Sequence, residues 1–402
     1  MNILEVIPSV DAASGGPIES SKQFARIACA EGHVVEFVSL DKPDAACVKE
    51  MAFRTYGCGP ARLGAYGYAP RFLLWMKSNA VRYDAVVVNG IWAYHSWGTW
   101  RALRQSNTPY VVFTHGMLDP WFKQRYPAKH MKKWLYWPWA EYRVLRDAAA
   151  VLFTCEQEKI LARESFWLYR CNEGVINVGT ADRGAVDESG SGGLFNRFPE
   201  LRGKQIALSM GRIHPKKGCD LAIEAFAKVL GDKPNWHLVM AGPDEMGWKS
   251  ELSAKARELS ISDRITWAGM LHGEEKWDAL RSAEFLLLPS HQENFGLVVA
   301  EALACGLPAL VSTKVNIWRE ICEDGAAIAA NDDLDGTCEL LRSWVSLGRD
   351  ERSSMRERAR QCFTERFEAG KGTRELLMFL EQTISSFRTR GASPHQVPVT
   401  SA

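Results

Sequence analysis

The stretch from Glu284 to Pro308, EFLLLPSHQENFGLVVAEALACGLP, constrains the fold of this 402-residue chain more than any other. Phe285–Leu288 is a short apolar run that ends at Pro289, which predicts a strand buried on both faces of a parallel sheet. A polar loop follows, and apolar residues then recur at helical spacing until Gly306 and Pro308 stop the pattern. The stretch therefore predicts a strand, a loop and a helix, the repeating unit of a parallel α/β fold.

Two glutamates lie in the second half of this stretch. Glu293 lies in the polar loop, and Glu301 follows eight residues later, about two turns into the predicted helix. The free N–H groups at the start of a helix attract an anion such as phosphate. A carboxylate that faces a diol makes paired, charge-assisted hydrogen bonds with it. The pattern fits a ligand with phosphates and sugar hydroxyls, although an isolated pair of glutamates is more often two solvated charges.

The setting of the two glutamates is PS-x2-E-N-F-G-L-x3-E-A-x-A-C-G-x-P. It resembles the donor-binding motif of retaining GT-B glycosyltransferases of glycosyltransferase family 4. The resemblance implies an α/β GT-B fold, in which two doubly wound Rossmann-like domains face each other across a cleft. It also implies transfer of a sugar from a nucleotide-diphosphate donor with retention of configuration. The flanking strand, glycines and prolines argue against two merely solvated charges.

A second motif, Gly211-Arg212-Ile213-His214-Pro215-Lys216-Lys217-Gly218, follows another apolar run. Taken alone, it is as readily a basic surface loop. It resembles the family segment in which an arginine and a lysine bind the donor diphosphate. Fixed cations and a helix N-terminus stabilise the charge that a leaving diphosphate gains. Because these groups supply the positive charge and no metal-ligand set is visible, we expect no metal and no cofactor.

The resemblance assigns roles to individual residues. Arg212 and Lys217 would bind the diphosphate and Glu293 would face the donor sugar, so that these three act in catalysis together with His115. Glu301 would bind the ribose. The remaining donor-binding positions would cap the phosphates, approach the donor or hold the nucleobase edge, and they are Gly211, Met270, Leu271, Phe295, Gly296, Leu297 and Val298. In this family the leaving phosphate is thought to deprotonate the acceptor on the same face of the sugar.

Predicted strands and helices alternate on both sides of one linker. Buried strands are predicted before it at residues 3–7, 34–40, 84–89, 109–113, 149–154 and 173–179, and after it at residues 205–210, 236–241, 265–269, 285–288 and 308–312. The linker, by composition, is Asp187–Gly193, DESGSGG. Repeated βα units on both sides of the linker predict two doubly wound parallel sheets.

These boundaries predict two domains. We expect an N-terminal acceptor-side domain at residues 1–186 and a C-terminal nucleotide-sugar-binding domain at residues 194–365. The resemblance implies that a final helix, at about residues 366–388, returns to the first domain. Residues 389–402 show no core-forming pattern and are expected to be a loose tail. Asp41–Tyr68 is rich in Gly and Pro and is predicted to be an irregular acceptor-side region.

Two candidate binding features lie in the first domain. Gly15 and Gly16 lie between the first predicted strand and helix, where a tight turn alone explains them, but the family has a donor- or acceptor-contacting Gly-Gly loop at this place. His115 follows the strand 109–113, at the strand end where ligand crevices open in parallel sheets. A lone histidine is usually structural, but Thr114-His115-Gly116 matches the family segment. His115 is therefore predicted to bind a donor-sugar hydroxyl or to support developing positive charge.

The segment Trp121–Arg146, WFKQRYPAKHMKKWLYWPWAEYRVLR, holds many Lys and Arg residues, with Glu141 as its only acid, and four tryptophans. Basic residues near an anionic lipid surface are attracted to it by about 1 kcal/mol each. Indole rings favour the membrane–water interface. The segment predicts docking on an anionic membrane surface, with an ordinary helix packed on the first domain, or a glycan platform, as alternatives.

Charge and cysteine usage exclude other classes of protein. The formal net charge of +1 argues against a nucleic-acid-binding protein. The ten cysteines show neither a C-x-x-C pair nor zinc-site spacing, which indicates a reduced protein. The sequence shows no signal peptide and no apolar stretch of the ~20 residues that cross a bilayer. We expect a cytoplasmic protein that attaches peripherally to the inner face of the cytoplasmic membrane.

The predicted activity is transfer of a sugar from a UDP- or GDP-sugar to a glycan or lipid-linked saccharide, as in bacterial envelope or exopolysaccharide synthesis. The sequence does not identify the sugar, the nucleobase, the acceptor or the oligomeric state. A GT-B sugar-nucleotide epimerase would need acid/base carboxylates in the first domain, whereas His115 and the Arg212–Lys217 pair favour transfer. A non-catalytic sugar-nucleotide-binding protein would have lost Glu293, His115 or Arg212, and all three are present.

Overall fold

The computed structural model of the chain describes residues 1–177, 179–183 and 193–389. These residues form two compact units, one made of residues 1–177 and 370–389 and the other of residues 179–369. Most of the predicted linker, residues 187–192, lies outside the described residues, as do residues 390–402 of the predicted tail.

The first unit contains one parallel sheet of seven strands, in the order β3-β2-β1-β4-β5-β6-β7. Its strands are β1 Asn2–Val6, β2 Val34–Ser39, β3 Thr55–Gly57, β4 Ala85–Asn89, β5 Tyr110–Phe113, β6 Ala150–Phe153 and β7 Glu173–Val175. Strands β1, β4, β5 and β6 are short and almost wholly buried, because helices cover both faces of the sheet. The strand order reverses between β1 and β4, so the loops after these two strands diverge and leave a crevice at the carboxyl edge of the sheet.

The second unit contains a parallel sheet of six strands, in the order β10-β9-β8-β11-β12-β13. Its strands are β8 Gln205–Met210, β9 Trp236–Ala241, β10 Ile265–Gly269, β11 Phe285–Leu288, β12 Ala309–Ser312 and β13 Ala327–Ala330. Here the order reverses between β8 and β11, which are the two strands that precede the predicted donor-binding motifs. The fold therefore brings both motifs to one topological switch point.

Helices connect the strands in both units. The first unit contains α1 Gly16–Ala30, α2 Ala46–Lys49, α3 Pro70–Asn79, α4 Tyr94–Leu103, α5 Trp121–Arg125, α6 Pro127–Tyr136, α7 Glu141–Asp147 and α8 Glu156–Ala162. The second contains α9 Gly193–Arg197, α10 Cys219–Leu230, α11 Lys249–Glu258, α12 Gly273–Ser282, α13 Leu297–Ala304, α14 Trp318–Glu323, α15 Leu334–Ser346 and α16 Arg349–Cys362. The last helix is α17, Ala369–Thr389.

Helix α17 belongs to the first unit from Gly370 onward. Its apolar side chains Leu376, Leu377 and Leu380 are buried in the same cluster as Ile3 and Phe37 of the first sheet. The structure also differs from the sequence prediction in Asp41–Tyr68, which contains the edge strand β3 and the short helix α2 rather than only irregular chain. Strand β3 has three half-buried residues, so it lacks the continuous apolar run that reveals a central strand.

Candidate active site

The two loops at the switch point of the second sheet are packed backbone to backbone. The loop Gly211–Gly218 follows β8, and the loop Pro289–Gly296 follows β11. The N–H of His291 donates to the carbonyl of Lys216 at 2.8 Å. Gly218 has a φ of 63°, and a Cβ at this position would lie 2.2 Å from the carbonyl oxygen of Pro289. Only glycine fits here, and its absence of a side chain lets the two loops meet.

Lys217 and Glu293 are in direct contact across these two loops. The ammonium of Lys217 forms an ion pair with Oε2 of Glu293, and each side chain is 16% exposed. Burial, aided by the charges of Lys216 and Arg212, lowers the pKa of Lys217 to about 7, whereas the Glu293 carboxylate favours the charged amine. The site therefore holds a shielded cation whose partner is a carboxylate at the start of a helix.

The backbone around Glu293 is held in place on both sides. Its N–H donates to the carbonyl of Lys314 at 3.0 Å, and its own carbonyl accepts from the N–H of Asn316 at 3.0 Å. Gly296 has a φ of 73° and is the N-cap of the eight-residue helix α13. The first N–H groups of a helix, here those of Leu297 and Val298, have no partner within the helix and favour an anion.

Arg212 lies at the solvent-facing side of the same loop. Its guanidinium lies 3.5 Å from the carboxylate of Glu245, and both side chains are 55% exposed. A shallow cavity lies between the end of β8 and Lys217 and is lined by Gly211, Arg212 and Lys217. The site thus has one buried cation and one exposed cation beside the same cavity.

Glu301 is paired with a residue that the sequence did not reveal. Its carboxylate is buried in α13, and Oε1 accepts a hydrogen bond from Nζ of Lys276, on α12, at 2.6 Å.

Of the other predicted donor-binding residues, Met270 is 52% exposed, whereas Leu271 and Phe295 are buried. The ring of Phe295 packs edge-on against Phe367 at 5.7 Å.

In the first unit, His115 lies at the end of β5 with an unusual backbone conformation. Its φ is 47°, in the left-handed region that non-glycine residues seldom adopt. The imidazole stacks on Phe113 at 5.6 Å, and its Nε2 lies 2.9 Å from Oδ1 of Asn89, the last residue of β4. Burial lowers the pKa of His115 to about 4, so the ring is neutral near pH 7.

The loop that carries His115 is held by the buried carboxylate of Glu158, on α8. Its Oε1 accepts from the hydroxyl of Thr114 and from the N–H of Gly116, both at 2.6 Å. Its Oε2 accepts from the N–H and the hydroxyl of Thr154, both at 2.7 Å. These four bonds occupy both carboxylate oxygens, so Glu158 fixes the loop and is not available as an acid/base group.

Asn89 joins His115 to a second buried carboxyl. The side-chain N–H of Asn89 donates to Oε2 of Glu5, on β1, at 2.5 Å. Because Oδ1 of Asn89 can then only accept, Nε2 of His115 carries the ring proton. Burial raises the pKa of Glu5 to about 8, so this carboxyl is protonated near pH 7. The hydrogen-bonded chain Glu5–Asn89–His115 sets the tautomer of the histidine.

Of the other predicted features of the first unit, Gly15 and Gly16 are exposed, whereas the segment Trp121–Arg146 is partly buried. Gly15 has a φ of 86° and precedes α1, which begins at Gly16. A Cβ built at either glycine meets no described atom within 4 Å, so the backbone is open to a ligand there. The segment Trp121–Arg146 forms α5, α6 and α7, and Trp137 between the last two is fully buried against Phe166.

No group of three or more His, Cys, Asp or Glu side chains that could hold a metal ion occurs within residues 1–177, 179–183 and 193–389. In the same part of the chain, no helix has the length and apolar character needed to cross a membrane.

Comparison with known families accounts for both units. Residues 194–362 match the family described as Glycosyl transferases group 1, and residues 15–169 match the family described as Glycosyl transferase 4-like domain. The second unit therefore contains a domain of the group 1 glycosyltransferase family, and the first unit contains a glycosyl transferase 4-like domain. The first match contains Arg212, Lys217, Glu293 and Glu301, and the second contains His115, so these predicted site residues lie within the family regions.

Relatives and solved structures agree with this family. The chain is 34% identical to D-inositol 3-phosphate glycosyltransferase of Segniliparus rotundus over 144 residues, which are 35% of this chain and 30% of that protein. The matched segments span about a third of the length of the curated relatives.

Sucrose-phosphate synthase from Thermosynechococcus elongatus has a TM-score of 0.77 at 19% identity, covering 96% of this chain and 99% of that chain. HepE from Anabaena, in complex with UDP and glucose, has a TM-score of 0.74 at 15% identity, covering 95% of this chain and 100% of that chain. These likenesses confirm the predicted GT-B fold.

Sequence reasoning missed several partners of the site residues. Glu245, Lys276 and Glu158 belong to no motif, and each contacts its partner only through the tertiary fold. Asn89 is the exception, because a polar residue at the carboxyl end of a buried strand is a recognisable signal.

Proposed function

We propose that this protein transfers a sugar from a nucleotide-diphosphate sugar to a saccharide acceptor, with retention of the anomeric configuration. The observation that carries the proposal is the contact between Lys217 and Glu293 at the switch point of the second sheet, beside the first N–H groups of α13. Cation, carboxylate and helix N-terminus match a ligand that has both phosphates and hydroxyls.

The pairing suggests how the donor engages the site. The donor diphosphate takes the place of Glu293 as the partner of Lys217, and Arg212 leaves Glu245 for the same diphosphate. Glu293 is then free to accept hydrogen bonds from hydroxyls of the donor sugar. Glu301 binds the ribose diol with the support of Lys276.

Transfer breaks the bond between the anomeric carbon and the diphosphate oxygen. The charge that develops on the diphosphate is stabilised by Arg212, Lys217 and the N-terminus of α13, which lie in place before the reaction. The acceptor hydroxyl attacks the same face of the sugar, and its proton goes to the leaving phosphate. Because fixed protein groups supply the positive charge, we propose that the reaction needs no metal ion.

We propose UDP-sugars as the first donors to test. HepE, which shares the fold of this chain, has been solved with UDP and glucose, and one relative is a D-inositol 3-phosphate glycosyltransferase. GDP-sugars stay the alternative, since no described residue identifies the base. The epimerase alternative needs free carboxylates in the first unit, whereas Glu158 has both oxygens engaged and Glu5 is buried behind Asn89.

The test is incubation of the purified chain with UDP-, GDP- and ADP-sugars, with and without saccharide acceptors. Release of nucleotide diphosphate from one donor, and an NMR coupling constant that shows the donor's anomeric configuration in the product, are expected. The reaction should continue in EDTA. An inverted product, or activity that EDTA abolishes and magnesium or manganese restores, would contradict the mechanism.

We further propose that α6 attaches the protein to an anionic membrane, as suits an enzyme of bacterial envelope or exopolysaccharide synthesis. Its outward side exposes Met131, Trp134 and Leu135, and Trp139 and Trp167 are exposed nearby. Lys132 lies beside this apolar face and is exposed as well. Apolar side chains with basic neighbours are the composition that binds interfaces.

Co-sedimentation with lipid vesicles tests this attachment. The chain should bind vesicles that contain anionic lipid, and less so at high salt because salt screens the basic residues. The double change Trp134→Ser and Leu135→Ser should remove binding without changing donor hydrolysis in solution. Equal binding of neutral vesicles, or none of either kind, would contradict the proposal.

A further inference from the structure

A shielded ion pair joins two helices that begin at the carboxyl edge of the second sheet. Nζ of Lys276 donates to Oε1 of Glu301 at 2.6 Å. Lys276 is the fourth residue of α12, and Glu301 is the fifth residue of α13. Because each of these helices follows a parallel strand, its first turns lie at the edge where such sheets bind ligands. The pair therefore lies at the same edge as the donor motifs, although neither motif contains Lys276.

The two side chains of this pair differ in their exposure to solvent. The side chain of Glu301 is 10% exposed, whereas that of Lys276 is 28% exposed. A ligand that reaches the carboxylate of Glu301 from solvent therefore meets the amine of Lys276 as well. A shielded ion pair contributes little net stability, since the cost of removing two charges from water offsets their attraction. Stability of the fold alone is therefore a weak reason for this pair.

The fold, rather than the local sequence, directs Lys276 to Glu301. Lys276 directly follows two acidic residues in α12, and each of these has a basic partner of its own. Glu274 pairs with Arg281 at 3.4 Å, and Glu275 pairs with Arg197 at 3.2 Å. The amine of Lys276 instead bonds a carboxylate on another helix, 25 residues away along the chain.

The amine and the carboxylate offer complementary hydrogen-bonding groups to a ligand. An ionised carboxylate only accepts, whereas an ammonium only donates and has three N–H groups. In the part of the chain that the structure describes, the amine of Lys276 makes one hydrogen bond, to Glu301, which leaves two N–H groups for a ligand. A hydroxyl both donates and accepts, so one hydroxyl can donate to Glu301 and accept from Lys276. The charges on the two protein groups strengthen both bonds.

We infer that Lys276 determines the specificity of the donor site for ribonucleotides. One ribose hydroxyl of the donor donates to Glu301 and accepts from Lys276. A deoxynucleotide that lacks this hydroxyl leaves two shielded charged groups without their ligand partner, and sites built in this way reject the shorter analogue. The inference rests on the proposed function, because it takes the donor to be a nucleoside diphosphate sugar.

Calorimetric titration of the full chain tests this specificity. The probes are UDP, GDP and ADP, together with the 2′-deoxy and 3′-deoxy forms of each nucleotide that binds. The wild type should bind one of the deoxy forms at least 10-fold more weakly than the ribonucleotide. Lys276→Met should reduce this ratio of affinities to below 3-fold, whereas Lys276→Arg, which keeps a cation, should retain most of it. The control is Lys228→Met, at an exposed position of α10, which should leave the ratio unchanged.

A second pair of variants shows whether the amine contacts the hydroxyl itself or only holds Glu301. Glu301→Gln keeps an acceptor for the hydroxyl and does not need a cation. This variant should still bind the deoxy form at least 3-fold more weakly than the ribonucleotide, and adding Lys276→Met should remove the difference. A ratio that Glu301→Gln alone abolishes, or that the added Lys276→Met leaves unchanged, would overturn the contact between the amine and the hydroxyl.

The outcomes separate this inference from the proposed function. If none of the three nucleotides binds the wild type, the proposed function fails, and the inference fails with it. If one nucleotide binds but its deoxy forms bind equally well, the inference alone is overturned. The same holds if Lys276→Met discriminates between the two forms as the wild type does. Lys276→Gln takes the place of Lys276→Met if that variant does not fold.

Discussion

Nε2 of His115 lies 2.9 Å from the side-chain oxygen of Asn89, and the same asparagine amide donates to Glu5. The two residues end neighbouring strands, so the sheet itself holds the imidazole. Because the amide oxygen accepts, the histidine keeps its proton on Nε2 and leaves Nδ1 as an acceptor.

The first prediction concerns this tautomer. In Asn89→Leu the imidazole loses its acceptor, so the Nε2–H form should give way to a mixture of tautomers. Nitrogen–proton NMR correlation of the His115 ring in labelled protein measures the two forms directly. Asn89→Asp, which keeps an acceptor at this position, should retain the Nε2 proton and raise the pKa of the ring. A wild-type ring with its proton on Nδ1 would contradict the arrangement.

The second prediction separates the two cations of the donor loop. Arg212→Ala and Lys217→Ala should each reduce turnover about 100-fold, since each removes a fixed charge from the leaving diphosphate. Arg212 is exposed, so its loss should leave the melting temperature unchanged. Loss of Lys217 leaves the shielded Glu293 without its cation and should cost about 2 kcal/mol of stability.

A matched variant checks that explanation. Changing Glu293→Gln together with Lys217→Met removes both charges, which should restore thermal stability without restoring turnover. If the double variant were no more stable than Lys217→Ala, the broken ion pair would not account for the stability lost in Lys217→Ala.

The third prediction separates the two glutamates of the donor motif. Glu301→Ala should weaken binding of the bare nucleotide diphosphate, because this carboxylate, held by Lys276, is expected to bind ribose. Glu293→Ala should reduce turnover while leaving nucleotide affinity close to that of the wild type. Calorimetry with the product nucleotide on both variants decides between these effects, and the reverse pattern would reject both assignments.

The fourth prediction uses the buried Glu5. Its folded-state pKa of about 8 lies above its ordinary value of 4.5, so the folded protein keeps a proton that the unfolded chain releases. The resulting contribution of Glu5 to the free energy of unfolding is fully present below pH 4.5. It is lost as the pH rises to 8, at about 1.4 kcal/mol per pH unit.

Glu5→Gln cannot ionise, so it should match the wild type in urea unfolding near pH 4.5 and be more stable at pH 8. Burial lowers the pKa values of His95 and His115 to about 4, so these two histidines make the folded protein less stable as the pH falls. Both histidines are present in the wild type and in Glu5→Gln, so their contributions cancel in the difference between the two free energies of unfolding. A pH-independent difference between the two proteins would show that Glu5 does not titrate in this range.

The strands of the second sheet are the best-predicted part of the chain. The predicted bounds of Gln205–Met210, Trp236–Ala241 and Ile265–Gly269 coincide with β8, β9 and β10. Each is an apolar run with glycine or a polar turn at its end, so the local pattern contains nearly all the information that defines it. The edge strands β3 and β13 were not predicted, because partly buried edge residues need no continuous apolar run.

The predicted site residues show the limit of local pattern more clearly. The motifs led to Lys217 and Glu293, and the structure brings these two together. The partners Lys276 and Glu158 lie 25 and 44 residues from Glu301 and Thr114 along the chain. Such pairs depend on strand order and on helix placement, which no short pattern specifies. The roles of these residues toward phosphate, sugar and ribose stay predictions.

The return of α17 to the first unit has a consequence for synthesis on the ribosome. The apolar face that Leu376, Leu377 and Leu380 cover stays open until the whole second unit has been translated. At roughly 5–20 residues per second, those 191 residues take about 10–40 s. A copy that stops before residue 370 lacks these three leucines, so the apolar cluster that contains Ile3 and Phe37 stays incomplete. The order of the chain thus acts as a check on completeness, since the first domain is finished only when the last helix has been made.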